Sequence, residues 1–219
     1  MTEAPAGSSE HRRPVVVPVI ALLTVTVVGI VALLGGLEEV EVPPKTLSQG
    51  AVLDQGLYST RFVEARVTVE KGELTFEEDK RFVEMVFDVT NLGDETMSVG
   101  MPPAKPDQAG FGSSFANSLV RITPAIKEGK GPFTFALAGE DQTNQLHPGT
   151  TTKVVVRYRL DAGERPPEQM TLDVAAFAYE PGFQDETVRW QMITEQAGEK
   201  WVPTVQAKVT LPVKTGGSA

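Results

Sequence analysis

Chemistry that needs an imidazole must centre on His147, because the chain holds only one other histidine, His11, and no cysteine. His11 lies in a short polar tail, whereas His147 opens the stretch HPGTTTKVVVRYRL. Nucleophilic catalysis requires a nucleophile, a base and a group that orients the base. Ser113 and Ser114 are the serines to pair with His147, but GFGSSFAN lacks the Gly-x-Ser-x-Gly pattern of a nucleophile elbow. A zinc site would rest on one histidine and carboxylates, which is poor provision for that metal. Met97, Met101 and Met170 offer thioethers of the kind that suit Cu(I), although core filling explains methionines as well. Carboxylates cluster at Glu77, Glu78 and Asp79, at Asp94 and Glu95, at Glu140 and Asp141, and at Asp185 and Glu186. Calcium takes six to eight oxygens, yet none of these clusters follows an EF-hand pattern. There is no phosphate-cradling loop or dinucleotide fingerprint. The expectation is a non-enzyme with no catalytic residue, cofactor or metal site.

Tyr179, Phe183, Trp190 and Trp201 concentrate in the last third of the chain, near AYEPGFQDE and EQAGEKW. Two roles compete for them. They fill a sandwich core, as tryptophan often does. Or they form an anchor platform at a loop end, because rigid aromatic rings bind partners well. They are the candidate partner-binding residues.

The elements that must position these groups follow period two. In RFVEARVTVE, Val63, Ala65, Val67 and Val69 alternate with Glu64, Arg66, Thr68 and Glu70. KRFVEMVFDVTNLGDE predicts a strand with Val83, Met85, Phe87 and Val89 inward, ended by turn-tolerant Asn91, Gly93 and Asp94. PFTFALAG places Phe133, Phe135 and Leu137 on one face. TTTKVVVRYRL aligns Val154, Val156, Tyr158 and Leu160, QMTLDVAA aligns Leu172, Val174 and Ala176, and ETVRWQMI aligns Val188, Trp190 and Met192. PTVQAKVTLPV aligns Val205, Ala207, Val209 and Leu211. Short alternating strands between Gly, Pro, Asn and Asp turns, with no amphipathic helix, predict an antiparallel β-sandwich over residues 51–213. Pro148-Gly149 fits the centre of a type II turn, which makes His147 a turn residue. The Pro-, Gly- and Ser-rich stretch from Gly100 to Asn117 is long for a bare connection and reads as a crossover or a functional loop.

Ahead of the sandwich, residues 14–37 form an uncharged run, PVVVPVIALLTVTVVGIVALLGGL. About 20 residues of helix cross the hydrocarbon layer, so this run predicts one transmembrane helix. It is too long for the apolar core of a signal peptide and ends without an Ala-x-Ala-like site. His11, Arg12 and Arg13 precede it, and Glu38, Glu39 and Glu41 follow. The positive-inside rule therefore places residues 1–13 in the cytoplasm and the rest outside. Pro43 and Pro44 make residues 38–50 a stalk, and residues 214–219 read as a flexible tail. The formal net charge of −9 belongs entirely to the part after Leu37, which disfavours binding to nucleic acid.

STRFVEARVTVE followed by RFVEMVFDVTNLGDE, then QLHPGTTTKVVVRYRLDAGERPPEQMTLDV and a closing WVPTVQAKVTLPV, is a recognisable series. It resembles bacterial telokin-like, immunoglobulin-like extracytoplasmic domains of the DUF4352 type, including membrane-anchored actinobacterial members. The resemblance spans roughly Ala51 to Val213 and rests on strand and turn patterns. The middle, about Gly100 to Asn144, is longer than in the compact form of that domain. The resemblance implies an immunoglobulin-like sandwich outside the membrane and transfers no catalytic residue. The expected function is a single-pass, membrane-anchored interaction module that binds an envelope protein or cell-wall polymer. The alternative is an extracytoplasmic domain that senses calcium or a small ligand.

Overall fold

The computed structural model describes residues 43–72, 78–109, 112–139, 141–182 and 186–215. The expected cytoplasmic tail, the transmembrane run 14–37, residues 38–42 of the stalk, Phe183 and residues 216–219 lie outside them. Among the described residues no helix is long and apolar enough to cross a membrane.

The described residues from Pro43 onward belong to one compact unit that is almost entirely strand. In chain order the strands are β1 (Lys45–Ser48), β2 (Val52–Asp54), β3 (Tyr58–Glu70), β4 (Lys80–Asn91), β5 (Met97–Ser98), β6 (Leu119–Thr123), β7 (Phe133–Ala138) and β8 (Asp141–Thr143). They continue with β9 (Gln145–Leu146), β10 (Thr151–Arg159), β11 (Gln169–Ala175), β12 (Phe177–Pro181), β13 (Val188–Met192), β14 (Thr194–Ala197), β15 (Lys200–Pro203) and β16 (Val205–Lys214). One layer runs β6–β11–β16 with β1 beside β16, and the other runs β2–β3–β4–β10–β7–β8. They join where β16 meets β3 in parallel, at Val213 with Ala65 and Lys214 with Arg66. The other ladders of the two layers are antiparallel, except β1 with β16.

The ladders correct two expected boundaries. Residues 45–48, read as stalk from the neighbouring prolines, are an edge strand in register with Ala207 to Thr210. Lys214, read as tail, is the last residue of β16 and donates a hydrogen bond from Nζ to Glu64 at 2.9 Å.

The core lies between the layers. Val83, Met85, Phe87 and Val89 of β4 meet Leu172 and Val174 of β11 and Ala207, Val209 and Leu211 of β16, all fully buried. In β3 the phase differs from the expected one. A bulge between Phe62 and Glu64 takes up Val63, so that Phe62 and Ala65 both face the core; Val67 packs against it in phase with Ala65, and Val69, near the end of the strand, is exposed. An extra residue in one strand shifts the alternation in this way. Phe133, Phe135 and Leu137 share a face as expected, but it is the outer one, since Ala136 turns inward.

That outer face is held by charge. Lys214 and Arg66 both pair with Glu64, Arg66 reaches Glu84 at 3.3 Å, and Arg157 contacts Glu84 and Glu70. The Arg157 guanidinium lies over the ring of Phe82 at 4.4 Å and that of Phe135 at 5.2 Å. Long side chains thereby cover Phe82 and cross-link β16, β3, β4 and β10. The hydrogen bond from Lys214 holds the Glu64 carboxyl below its ordinary range. Partial burial opposes this, and the charges of Lys214 and Arg66 reinforce it. A depressed carboxyl stabilises the fold fully above its unfolded value, and the contribution disappears as pH falls through the lower folded value. Stability is therefore expected to decline on the acid side of 4.5, the ordinary glutamate value. In urea titrations across pH, Glu64→Gln should flatten that decline. An unchanged acid limb would remove Glu64 from the account.

Candidate functional site

β11 and β16 are neighbours, with Ala175 opposite Val205, so residues 176–204 leave the sheet between two paired strands. They form two hairpins, β12 with β13 and β14 with β15, each a separate two-stranded ladder. The root is tied by backbone: Phe177 N donates to Gln55 O at 2.7 Å, and Ile193 N to Ala176 O at 2.9 Å.

The first hairpin has one apolar face. Phe177 pairs with Met192, Tyr179 with Trp190 and Pro181 with Val188. Alternation puts these six residues on one side and Ala178, Glu180, Arg189 and Gln191 on the other. Burial grades along that face. Phe177 and Met192 are in the core, Trp190 is half-buried, and Tyr179 and Val188 are exposed. The Tyr179 and Trp190 rings lie 5.3 Å apart. Trp190 packs over two glycines, where a Cβ on Gly56 or Gly93 would come within 3.3 or 3.5 Å of its ring. On the second hairpin Trp201 pairs with Gln196 and is 56% exposed. Of the four candidate aromatics, then, Trp190 packs against the core while Tyr179 and Trp201 project from it.

The arm meets the Gly100–Asn117 stretch. Lys200 Nζ reaches Asp107 Oδ2 at 2.7 Å, in a short 3-10 turn at Pro106–Gln108. This hydrogen bond holds the Asp107 carboxyl below its ordinary range. A second 3-10 turn, Phe115–Ser118, drives Phe115 into the core. Rings then run edge to face from Phe62 to Phe87, Phe115, Tyr58 and Phe177, with neighbouring centroids 5.5 to 5.9 Å apart. Loop and arm are thus seated on one aromatic series. Beside it, buried Gln55 donates from Nε2 to Ser118 Oγ and to Ala175 O, and accepts at Oε1 from Thr60. These bonds satisfy the amide without water, as a buried polar group requires.

His147 stands at the same end. Thr150 N donates to His147 O at 3.2 Å and Gly149 has φ +66°, the turn expected from Pro148-Gly149. His147 Nδ1 and Thr96 Oγ1 share a hydrogen bond at 3.0 Å. The buried side chain that organises this corner is Asn91, which sequence reasoning took only as a turn marker. It donates to Glu95 O and Leu146 O and accepts from Gly93 N. Ser113 contributes its carbonyl to the Tyr58 hydroxyl, and Ser114 packs its Oγ against Gly100. The three methionines are not one site: Met170 is in the core under the Tyr158 hydroxyl, Met97 packs against the core, and Met101 is on the surface. Among the described residues no three His, Cys, Asp or Glu side chains gather as metal ligands.

At the opposite end a shallow cleft of about 220 Å³ is lined by Lys127, Lys130, Arg159, Glu164 and Arg165. Lys127 pairs with Glu164 and Asp161 and Lys130 with Asp161, so both lysines are neutralised. The arm and its loop remain the better candidate, because the exposed rings there stand on hairpins rooted through buried Phe177 and Met192 and backbone hydrogen bonds. Comparison with family models, curated proteins and solved structures finds no match.

Proposed function

We propose that this chain is a single-pass membrane protein whose immunoglobulin-like sandwich, of the DUF4352 type, lies outside the cytoplasm. Its role is to bind an envelope protein or a cell-wall polymer without catalysis. The uncharged run 14–37 and its flanking charges support the anchor and its orientation. The observation that carries the interaction role is the arm: Tyr179 and Trp201, 59% and 56% exposed, stand on hairpins whose root is locked into the core. Rigid, exposed aromatic side chains lose little entropy on contact and serve as anchors. An acidic domain directs this binding away from nucleic acid.

A photo-crosslinking residue placed at Tyr179, and separately at Trp201, tests the proposal in native membranes. Discrete adducts with one protein or glycan species are expected from both positions. Val69, exposed on β3, supplies the comparison. Adducts that are absent from the arm, or equally abundant from Val69, would defeat the interaction role.

A further inference from the structure

The cleft at the far end of the sandwich has a charge of its own. β10 ends at Arg159, and residues 161–164 turn the chain, with Glu164 N donating to Asp161 O at 3.0 Å. Pro166 and Pro167 then restrict the backbone after Arg165. The loop before β7 is tied to this one where Arg159 N donates to Lys130 O at 2.8 Å. The two carboxylates here are already engaged. Glu164 pairs through Oε1 with Lys127 at 2.7 Å and accepts through Oε2 from Asp161 N at 2.9 Å, and Asp161 is shared between Lys127 and Lys130. Among the described residues neither Arg159 nor Arg165 enters an ion pair. Four bases and two acids leave an excess of two positive charges, in a chain whose formal charge is −9. Tyr158 lines the same cleft and is 8% exposed. Its hydroxyl has one partner among the described residues, the Met170 thioether at 3.6 Å, and sulfur is a weak acceptor. Burial, joined by the charge of Glu164, pushes the phenol up to about 12, so it stays a donor.

We infer that this cleft binds a dianionic phosphate group, with the Arg159 and Arg165 guanidinium groups on its oxygens and the Tyr158 hydroxyl as a further donor. Guanidinium forks match phosphate oxygens in pairs. Charge selects the class. A phosphate monoester carries about −1.5 to −2 at neutral pH and so balances the excess, whereas a carboxylate balances half of it. Size and field select the occupant. The cleft, about 220 Å³, is smaller than the roughly 300–1,000 Å³ of sites for drug-sized ligands. The acidic remainder of the domain repels a long polyanion, so a small molecule or a single chain end fits. The site shares no residue with the arm and does not depend on the role proposed for it.

Equilibrium dialysis of the full chain, in a non-ionic detergent, against radiolabelled inorganic phosphate tests the inference. Saturable binding of one phosphate per chain is expected. Arg159→Gln and Arg165→Gln should each weaken it about tenfold, the loss of one charge-assisted contact. Both arginines are exposed, so these variants keep the fold. Tyr158→Phe should weaken binding about threefold, as for a neutral hydrogen bond. Lys153→Gln removes a charge from the same strand, where Lys153 pairs with Asp88, and should leave binding unchanged. Methyl phosphate that displaces the label more strongly than unlabelled phosphate identifies an esterified phosphate as the occupant, and weaker displacement identifies the free ion. Absence of saturable binding, binding that survives both arginine substitutions, an equal loss in Lys153→Gln, or acetate displacing the label as well as phosphate does, overturns the inference.

Discussion

Tyr58→Ala is expected to lower the unfolding free energy by about 4 kcal/mol, the upper range for truncating a buried aromatic residue. Tyr58 is fully buried, its ring meets Phe115 and Phe177 edge to face, and its hydroxyl donates to Ser113 O at 2.7 Å. Burial pushes the phenol well above its ordinary range, so the hydroxyl keeps its proton and remains a donor at neutral pH. Removing the ring opens a cavity where the crossover loop and the arm share one seat. Tyr58→Phe keeps the ring and leaves the Ser113 carbonyl without that donor, which should cost about 1–2 kcal/mol. Urea denaturation followed by circular dichroism measures both variants. In the alanine variant, protease cleavage within residues 100–118 should also rise under native conditions. An alanine variant within about 1 kcal/mol of the parent chain, well short of the usual cost of a buried aromatic, would mean that loop and arm are held elsewhere.

Much of the sandwich was legible because period two is a local signal. Val83, Met85, Phe87 and Val89, and likewise Ala207, Val209 and Leu211, lie where alternation put them. The bulge at Val63 was not legible, since no glycine or proline marks it and only the partner strand reveals the slip. Nor could ETVRWQMI show that it pairs with Phe177–Pro181 alone, outside the main sheet. Alternation records which side chains share a face, not which strand lies opposite. The Pro106–Gln108 turn and the second hairpin lie far apart in sequence, and the Asp107–Lys200 pair that joins them is an exposed contact with no sequence signature. The aromatics of the last third stood out by type, yet their division into a packed Trp190 and projecting Tyr179 and Trp201 depends on two glycines from other loops.

One of those glycines carries the second large effect. Gly56 has φ +82°, and a Cβ there would fall 2.2 Å from the Phe177 carbonyl oxygen. The obstructing atom is backbone, so no rotamer change can relieve it. Phe177 also donates from its N–H to Gln55 O, so moving the carbonyl loosens the bond that roots the arm. Gly50 isolates this steric part, having φ +84° with nothing near its absent Cβ. Gly50→Ala should cost only the left-handed conformation, about 1 kcal/mol. Gly56→Ala adds the displaced carbonyl and a weakened root, for about 3 kcal/mol in all. Urea denaturation of both variants reads that difference, and tryptophan emission reads its place. Only Gly56→Ala should shift the spectrum, because its Cβ would also approach Trp190 Cζ3 at 3.3 Å. Crosslinking from Tyr179 should fall in Gly56→Ala and persist in Gly50→Ala. Equal costs in the two variants would mean that the arm moves aside freely, and a freely moving arm cannot hold its aromatic rings as preformed anchors.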